Sequence, residues 1–108
     1  MRLFSVLVFG ALLVSPAAFA EKFTVAMKSI SFEPKRLELS VGDEVVWNNI
    51  SYTEHSATAD GEPAWDTGSV APKKTSKPIS FKAPGTFAYH CQVHGKTMSG
   101  TILVKAKQ

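Results

Sequence analysis

A single cysteine, Cys91, is the most constraining feature of this 108-residue chain, because a small domain with one thiol has no intrachain disulfide to hold it together. The fold must rest on a packed core, with or without an ion at that sulfur. The N-terminus sharpens the constraint. Met1-Arg2 precede an apolar run from Leu3 to Val14, and a small-residue stretch ends Ala18-Phe19-Ala20. One positive charge, a short hydrophobic run and an Ala-x-Ala ending describe a secretory signal peptide cut after Ala20, and the run is too short to span a bilayer comfortably. The expectation is a leader over 1–20 and one exported domain over 21–108, soluble in the periplasm and not inserted in the membrane after cleavage. In an oxidising compartment a lone thiol is prone to intermolecular disulfides or oxidation. Cys91 is therefore either an inert buried hydrophobe or a metal ligand.

The charge balance is mild, with 12 basic against 9 acidic residues and a formal net charge of +3. The lysines are neither gathered into an arginine-rich stripe nor interleaved with exposed aromatics, which argues against nucleic acid as a partner. Beyond residue 20 the chain shows no amphipathic helical period of useful length and no internal repeat. Instead, short alternating runs are broken by turn residues. Strands are expected over 23–27, 37–40, 44–49, 55–59, 79–82, 86–91 and 101–105, with short pieces at most in the irregular stretch from Ala64 to Pro78. Ala83-Pro84-Gly85 is a strong turn, since proline presets φ and glycine accepts a positive one. About eight short strands at this spacing predict an all-β, two-sheet antiparallel sandwich, with a small closed barrel as the alternative.

Alternation along a strand puts Phe87, Tyr89 and Cys91 on one side and Thr86, Ala88 and His90 on the other. Phe87 and Tyr89 belong in the core, so Cys91 is aimed inward at the strand's end and His90 points away. The following loop carries His94 and Met98, with Gly95 supplying backbone freedom. Taken singly, His94 would be a surface residue and Met98 core filler. Together with a buried lone cysteine they form a chelate of thiolate, imidazole and thioether. Soft donors of this kind exclude calcium and magnesium, structural zinc does not ordinarily take a thioether, and a Cys-x-x-Cys-His haem site would need a second cysteine. Two histidines, one cysteine and a weak methionine make a trigonal copper site. With His90 turned away, His55 is the remaining histidine, at the start of an extended segment. The expected metal ligands are thus His55, Cys91, His94 and Met98, for one copper ion cycling between Cu(I) and Cu(II).

The succession Gly42-Asp43, Val46-Trp47-x-Asn49, His55-Ser56-Ala57-Thr58-Ala59, Asp66-Thr67-Gly68 and Pro84-Gly85-Thr86-Phe87-x-Tyr89-x-Cys91-x-x-His94 resembles the plastocyanin, pseudoazurin and amicyanin branch of the blue-copper cupredoxins. The resemblance covers nearly the whole chain beyond the leader. It implies an eight-stranded Greek-key sandwich, a type 1 copper site and one-electron transfer between larger redox proteins, a carrier and not an enzyme. By position, His55 becomes the upstream imidazole, Cys91 the thiolate, His94 the exposed imidazole and Met98 the long axial ligand. Two departures stand out. Three residues separate His94 from Met98, where the resembling proteins usually place two or four. Ser56 follows His55 where the family often has an asparagine tying the two ligand-bearing segments, and its shorter reach predicts a weaker tie.

The expected partners are redox proteins docking near the solvent-facing edge of a monomeric carrier's His94. Lys73, Lys74, Lys77, Lys82 and Lys96 are either steering charges for acidic partners or a merely solvated face. Trp47 and Trp65 are expected to pack rather than relay electrons. A copper carrier or copper-tolerance protein is the alternative function. It would favour extra Met or His ligands, and Met27 is the one further methionine beyond the leader. A zinc-stabilised or metal-free binding sandwich is the third reading, in which the quartet is coincidence.

Overall fold

The computed structural model describes residues 20–107. The expected leader lies outside the described residues apart from its last residue, Ala20. Eight strands follow in order: β1 (Lys22–Met27), β2 (Phe32–Glu33), β3 (Arg36–Ser40), β4 (Glu44–Asn49), β5 (Thr58–Ala59), β6 (Ile79–Ser80), β7 (Gly85–Cys91) and β8 (Gly95–Lys105). They form two four-stranded sheets, β2-β1-β4-β6 and β3-β8-β7-β5. Two separate sheets exclude the closed barrel and give the Greek-key sandwich.

The sheets are mixed, which corrects the antiparallel expectation. β1 runs parallel to β4, from Lys22↔Glu44 to Met27↔Asn49, and β3 runs parallel to β8, from Arg36↔Thr101 to Ser40↔Lys105. Parallel neighbours need a crossover instead of a hairpin. Residues 28–43 supply one, since β2 stays beside β1 while β3 crosses to the other sheet.

Alternation fixes which side chains enter the space between the sheets. On β8 Met98, Gly100, Ile102 and Val104 are buried while Lys96, Thr97 and Lys105 are exposed, and on β1 Val25 and Met27 are buried while Lys22 and Thr24 are exposed. β4 sends Val45, Trp47 and Asn49 inward. Tyr89 is the hub of an aromatic cluster, with Phe32 at 4.7 Å and Trp47 and Trp65 each at 5.5 Å between ring centroids. Trp47 Nε1 donates to the Tyr89 hydroxyl at 3.3 Å, which satisfies two buried polar atoms at once. Truncating a ring of this kind typically costs about 3–5 kcal/mol. Both tryptophans therefore pack, as expected. A Cβ at Gly100 would stand 2.5 Å from the Tyr89 ring and hydroxyl, so the backbone approach that seats Tyr89 requires glycine there.

One end of the sandwich is closed by the turn at Val41-Gly42. Gly42 has φ +96° and Asp43 N–H donates to the Ser40 carbonyl at 3.0 Å, a turn that needs glycine at its third position. The other end, where β7 runs out at Cys91, carries the candidate site.

Candidate metal centre

Cys91 ends β7 with its side chain fully buried, as strand parity requires. β7 and β8 pair from Gly85↔Val104 to His90↔Ser99, and the next pair is Cys91↔Gly95. Between those last two pairs β7 has no intervening residue and β8 has three: Lys96, Thr97 and Met98. This is a bulge, which bends a strand and re-aims its side chains. Met98 therefore belongs to β8 and not to the loop, and the unusual spacing after His94 is taken up by the bulge. The thioether side chain is fully buried within the core that also holds Cys91.

His55 sits outside the named strands, in an isolated bridge to Val70, with its N–H on the Val70 carbonyl at 3.2 Å and its own carbonyl accepting from Val70 N–H at 2.7 Å. The extended segment expected from residue 55 thus becomes a regular strand only at Thr58. The imidazole is completely buried. Its Nδ1 lies 3.5 Å from the Cys91 sulfur, and His94 Nδ1 lies 3.8 Å from the same atom. The ring centroids are 5.1 Å apart. One donor atom from each of His55, Cys91 and His94 falls within 4.8 Å of the others.

Burial pushes the His55 imidazole below its ordinary range, the neighbouring His94 adds to that effect, and a hydrogen bond to the Lys28 backbone opposes it. A neutral ring is the state that can donate a lone pair. With Nε2 beside Thr53 Oγ1 at 3.5 Å, the Nδ1 edge is left to face the sulfur. His94 is partly exposed on the loop between β7 and β8, and it is the one member of the cluster with a solvent-facing edge. His90 stands apart, its Nδ1 2.6 Å from Asp60 Oδ1. Lys96 joins the same carboxylate at 3.5 Å, so the lysine inside the ligand segment is held by an intramolecular ion pair. Lys73 is also engaged: its Nζ donates to the Ile50 carbonyl at 2.9 Å and lies 4.0 Å from the centre of the Tyr52 ring.

Two residues do more than the sequence foretold. Ser56 Oγ accepts from Gln92 N–H at 3.0 Å and meets Thr58 Oγ1 at 2.9 Å. The hydroxyl therefore ties the His55 segment to the Cys91 segment in spite of its short reach. Ser56→Ala should lower stability by about 1 kcal/mol in urea titration, the ordinary worth of such a bond. An unchanged midpoint would show that the tie contributes nothing. The second residue is Asn49, expected from sequence only as the end of a strand. It is fully buried, with Nδ2 donating to the carbonyls of Thr53 at 2.8 Å and Val70 at 2.9 Å. Its Oδ1 accepts from Ser51 N–H at 2.9 Å and Ser51 Oγ at 2.7 Å. All its hydrogen-bonding capacity goes into holding the loop that delivers His55.

A sulfur and two imidazole nitrogens this close, drawn from segments 36 residues apart in sequence, fit a thiophilic transition metal and suit no hard cation. The observed donor chemistry thus accepts copper. Residues 2–104 match the Cupredoxin-like domain family. Among curated proteins, a plastocyanin of Prochlorothrix hollandica is 35% identical over an alignment of 115 residues, covering 93% of this chain and 86% of that protein. The amicyanin of Paracoccus denitrificans is 31% identical over 99 residues, 84% of this chain and 74% of the relative. Among solved structures, a reduced Cu(I) form of an amicyanin variant superposes with a TM-score of 0.70 at 27% identity, covering 90% of each chain.

Proposed function

The chain belongs to the cupredoxin-like family, and from there we propose that it is a small exported electron carrier whose one copper ion is held by His55, Cys91, His94 and Met98. The observation that carries this reading is the convergence of His55 Nδ1 and His94 Nδ1 on the Cys91 sulfur. Bound there, copper supplies one-electron chemistry between Cu(I) and Cu(II).

The protein's part is to keep the donors still. His55 is fixed by its two backbone bonds to Val70 and by the Asn49 network, and Cys91 by the β7–β8 ladder. The Ser56 hydroxyl joins those two supports. Buried donors that barely move on oxidation make electron transfer fast, and the apolar shell around the sulfur tunes the potential. Met98, buried in the β8 bulge within the core that also holds Cys91, would supply the thioether donor. His94 offers its exposed edge as the electron port, with redox proteins docking around it. Of the lysines offered as steering charges, Lys82 adjoins Phe81, which bonds Gly42 and Asp43 at the end remote from His94, and Lys96 and Lys73 are engaged at home, so steering of acidic partners would fall chiefly to Lys74 and Lys77. The leader directs the chain out of the cytoplasm, to the periplasm.

Two measurements test the proposal. Electron self-exchange between reduced and oxidised protein should broaden the NMR lines of residues near the site, as a carrier requires. Slow exchange, together with rapid loss of copper to a chelator, would instead identify a copper-delivery protein. Met98→Leu should keep the thiolate colour and move the reduction potential upward by at least ~59 mV, the one-electron equivalent of a tenfold change in equilibrium constant. An unmoved potential would remove Met98 from the ligand set.

A further inference from the structure

At the end of the sandwich remote from the cysteine, Asp43 is a buried carboxylate, 5% exposed, with two acceptors in use. Oδ2 takes the Ser40 N–H at 2.9 Å, which caps the Val41-Gly42 turn. Oδ1 takes the backbone N–H of Glu21 at 2.9 Å. Glu21 is bracketed on its other side too, because its carbonyl accepts from Glu44 N–H at 2.9 Å, one step before the β1–β4 ladder begins at Lys22↔Glu44. Glu21 is the residue that follows Ala18-Phe19-Ala20. The nitrogen held by Asp43 is therefore the one that signal peptidase would free.

We propose that the α-ammonium created by cleavage after Ala20 docks on the Asp43 carboxylate, so that export processing turns an amide-to-carboxylate hydrogen bond into an ion pair that pins β1 to its sheet. The inference rests on the export part of the reading above and is independent of its copper chemistry. Hydrolysis of the Ala20–Glu21 peptide bond by a signal peptidase consumes one water and leaves a carboxylate on Ala20 and an ammonium on Glu21. The bond to the ionised carboxylate is charge-assisted already; cleavage makes its donor a cation as well and adds the attraction of a full opposite charge. Glu21 is exposed, so the ammonium keeps part of its hydration while the buried carboxylate gains a full counter-charge.

The surroundings leave that role open. Glu21, Glu38, Lys105 and Lys107 line the same groove beside Asp43, and Glu44 follows it in sequence. Lys105 is spoken for by Glu38 at 3.5 Å, and Lys107 Nζ donates to the Val41 carbonyl at 3.4 Å. No side-chain cation among the described residues bonds Asp43 directly. The Glu21 hydrogen bond is already the chief influence holding the Asp43 carboxyl below its ordinary value, against the opposing effect of burial, with the Ser40 hydrogen bond and the more distant Lys107 charge acting the same way to a lesser degree.

The test begins with the full chain expressed in a secreting bacterium and purified from the periplasm. Intact mass should show a protein that starts at Glu21. After reductive ¹³C-methylation, NMR titration should place its α-amine at least about one unit above the ordinary range of roughly 7.7–8.0, and Asp43→Asn should return it to that range. Because Asp43→Asn also removes the Ser40 cap, a second form keeps Asp43 and retains Ala20 ahead of Glu21, moving the ammonium one residue outward. At pH 7 this longer form should unfold at lower urea than the processed one. A raised amine stabilises below its unfolded pKa and loses that effect as pH rises through its folded pKa, so the difference should close in alkali. A start at any other residue, an α-amine in the ordinary range, or equal urea midpoints at pH 7 would each overturn the proposal. Failure of the copper reading would show separately, as a colourless Cu(II) sample whichever residue comes first.

Discussion

Cys91→Ser is expected to abolish the intense visible colour that Cu(II) should produce in the wild-type protein. The absorption requires charge transfer from a thiolate sulfur to the metal, and serine offers a hard oxygen in its place. Copper affinity should fall by more than the 10–100-fold typical of losing an outer hydrogen-bonding partner of a metal site, because here a ligand itself is lost. The fold should survive. The position is fully buried, but a hydroxyl there has His55 Nδ1 as a near neighbour, 3.5 Å from the present sulfur, so the substitution leaves a buried polar group with a potential partner. Thermal unfolding separates the two effects. A ligand present at 100 times its Kd stabilises by about 2.7 kcal/mol, so the wild type should gain at least that from copper and the variant far less. Colour that persisted in Cys91→Ser would remove the sulfur from the site and with it the whole electron-carrier reading.

The parity argument read the core end of the site from sequence because a strand alternates faces at every residue. Phe87, Tyr89 and Cys91 had to share a side, and Tyr89 and Cys91 are fully buried while Phe87 packs against the same core from a partly exposed position. The same rule sent His90 away, to Asp60. Where no periodic strand exists the rule has nothing to act on. His55 lies in a one-pair bridge, and its place beside Cys91 followed from the need for a second imidazole and the lack of other candidates. Met98 was assigned to the loop because a hairpin with a bulge and a hairpin with a longer loop have the same local sequence; only the partner strand decides between them. The parallel pairs were illegible for a related reason, since strand direction depends on which sheet each crossover enters. Ser56 and Asn49 were underestimated because strand alternation does not reveal a polar side chain's partners, whereas the bonds that matter are set by chain brought in from residues 70 and 92.

Asn49 carries the second large prediction. Asn49→Leu keeps the approximate volume and deletes every hydrogen bond of the side chain, leaving the carbonyls of Thr53 and Val70 and the N–H of Ser51 to find other partners in a buried site. Ser51 Oγ still reaches the Thr53 carbonyl at 3.0 Å, and the His55 N–H still reaches the Val70 carbonyl at 3.2 Å, so part of the network persists. Each remaining orphan costs about 1–3 kcal/mol, and the expected loss is roughly 3 kcal/mol or more in urea unfolding of the metal-free protein. Asn49→Asp discriminates the mechanism. A carboxylate still accepts from Ser51, yet it would turn an anionic oxygen toward two carbonyl oxygens where Nδ2 now donates, so it should be at least as destabilising at neutral pH and should recover partly in acid as the carboxyl protonates. Both variants release the segment between Ser51 and Val70 that holds the buried imidazole, so their copper-loaded forms should show a broadened, weakened absorption even where the domain remains folded. A loss below about 1 kcal/mol in Asn49→Leu, with an unaltered spectrum, would mean that the β7–β8 ladder and the Ser56 tie suffice to place His55 and that Asn49 only fills space.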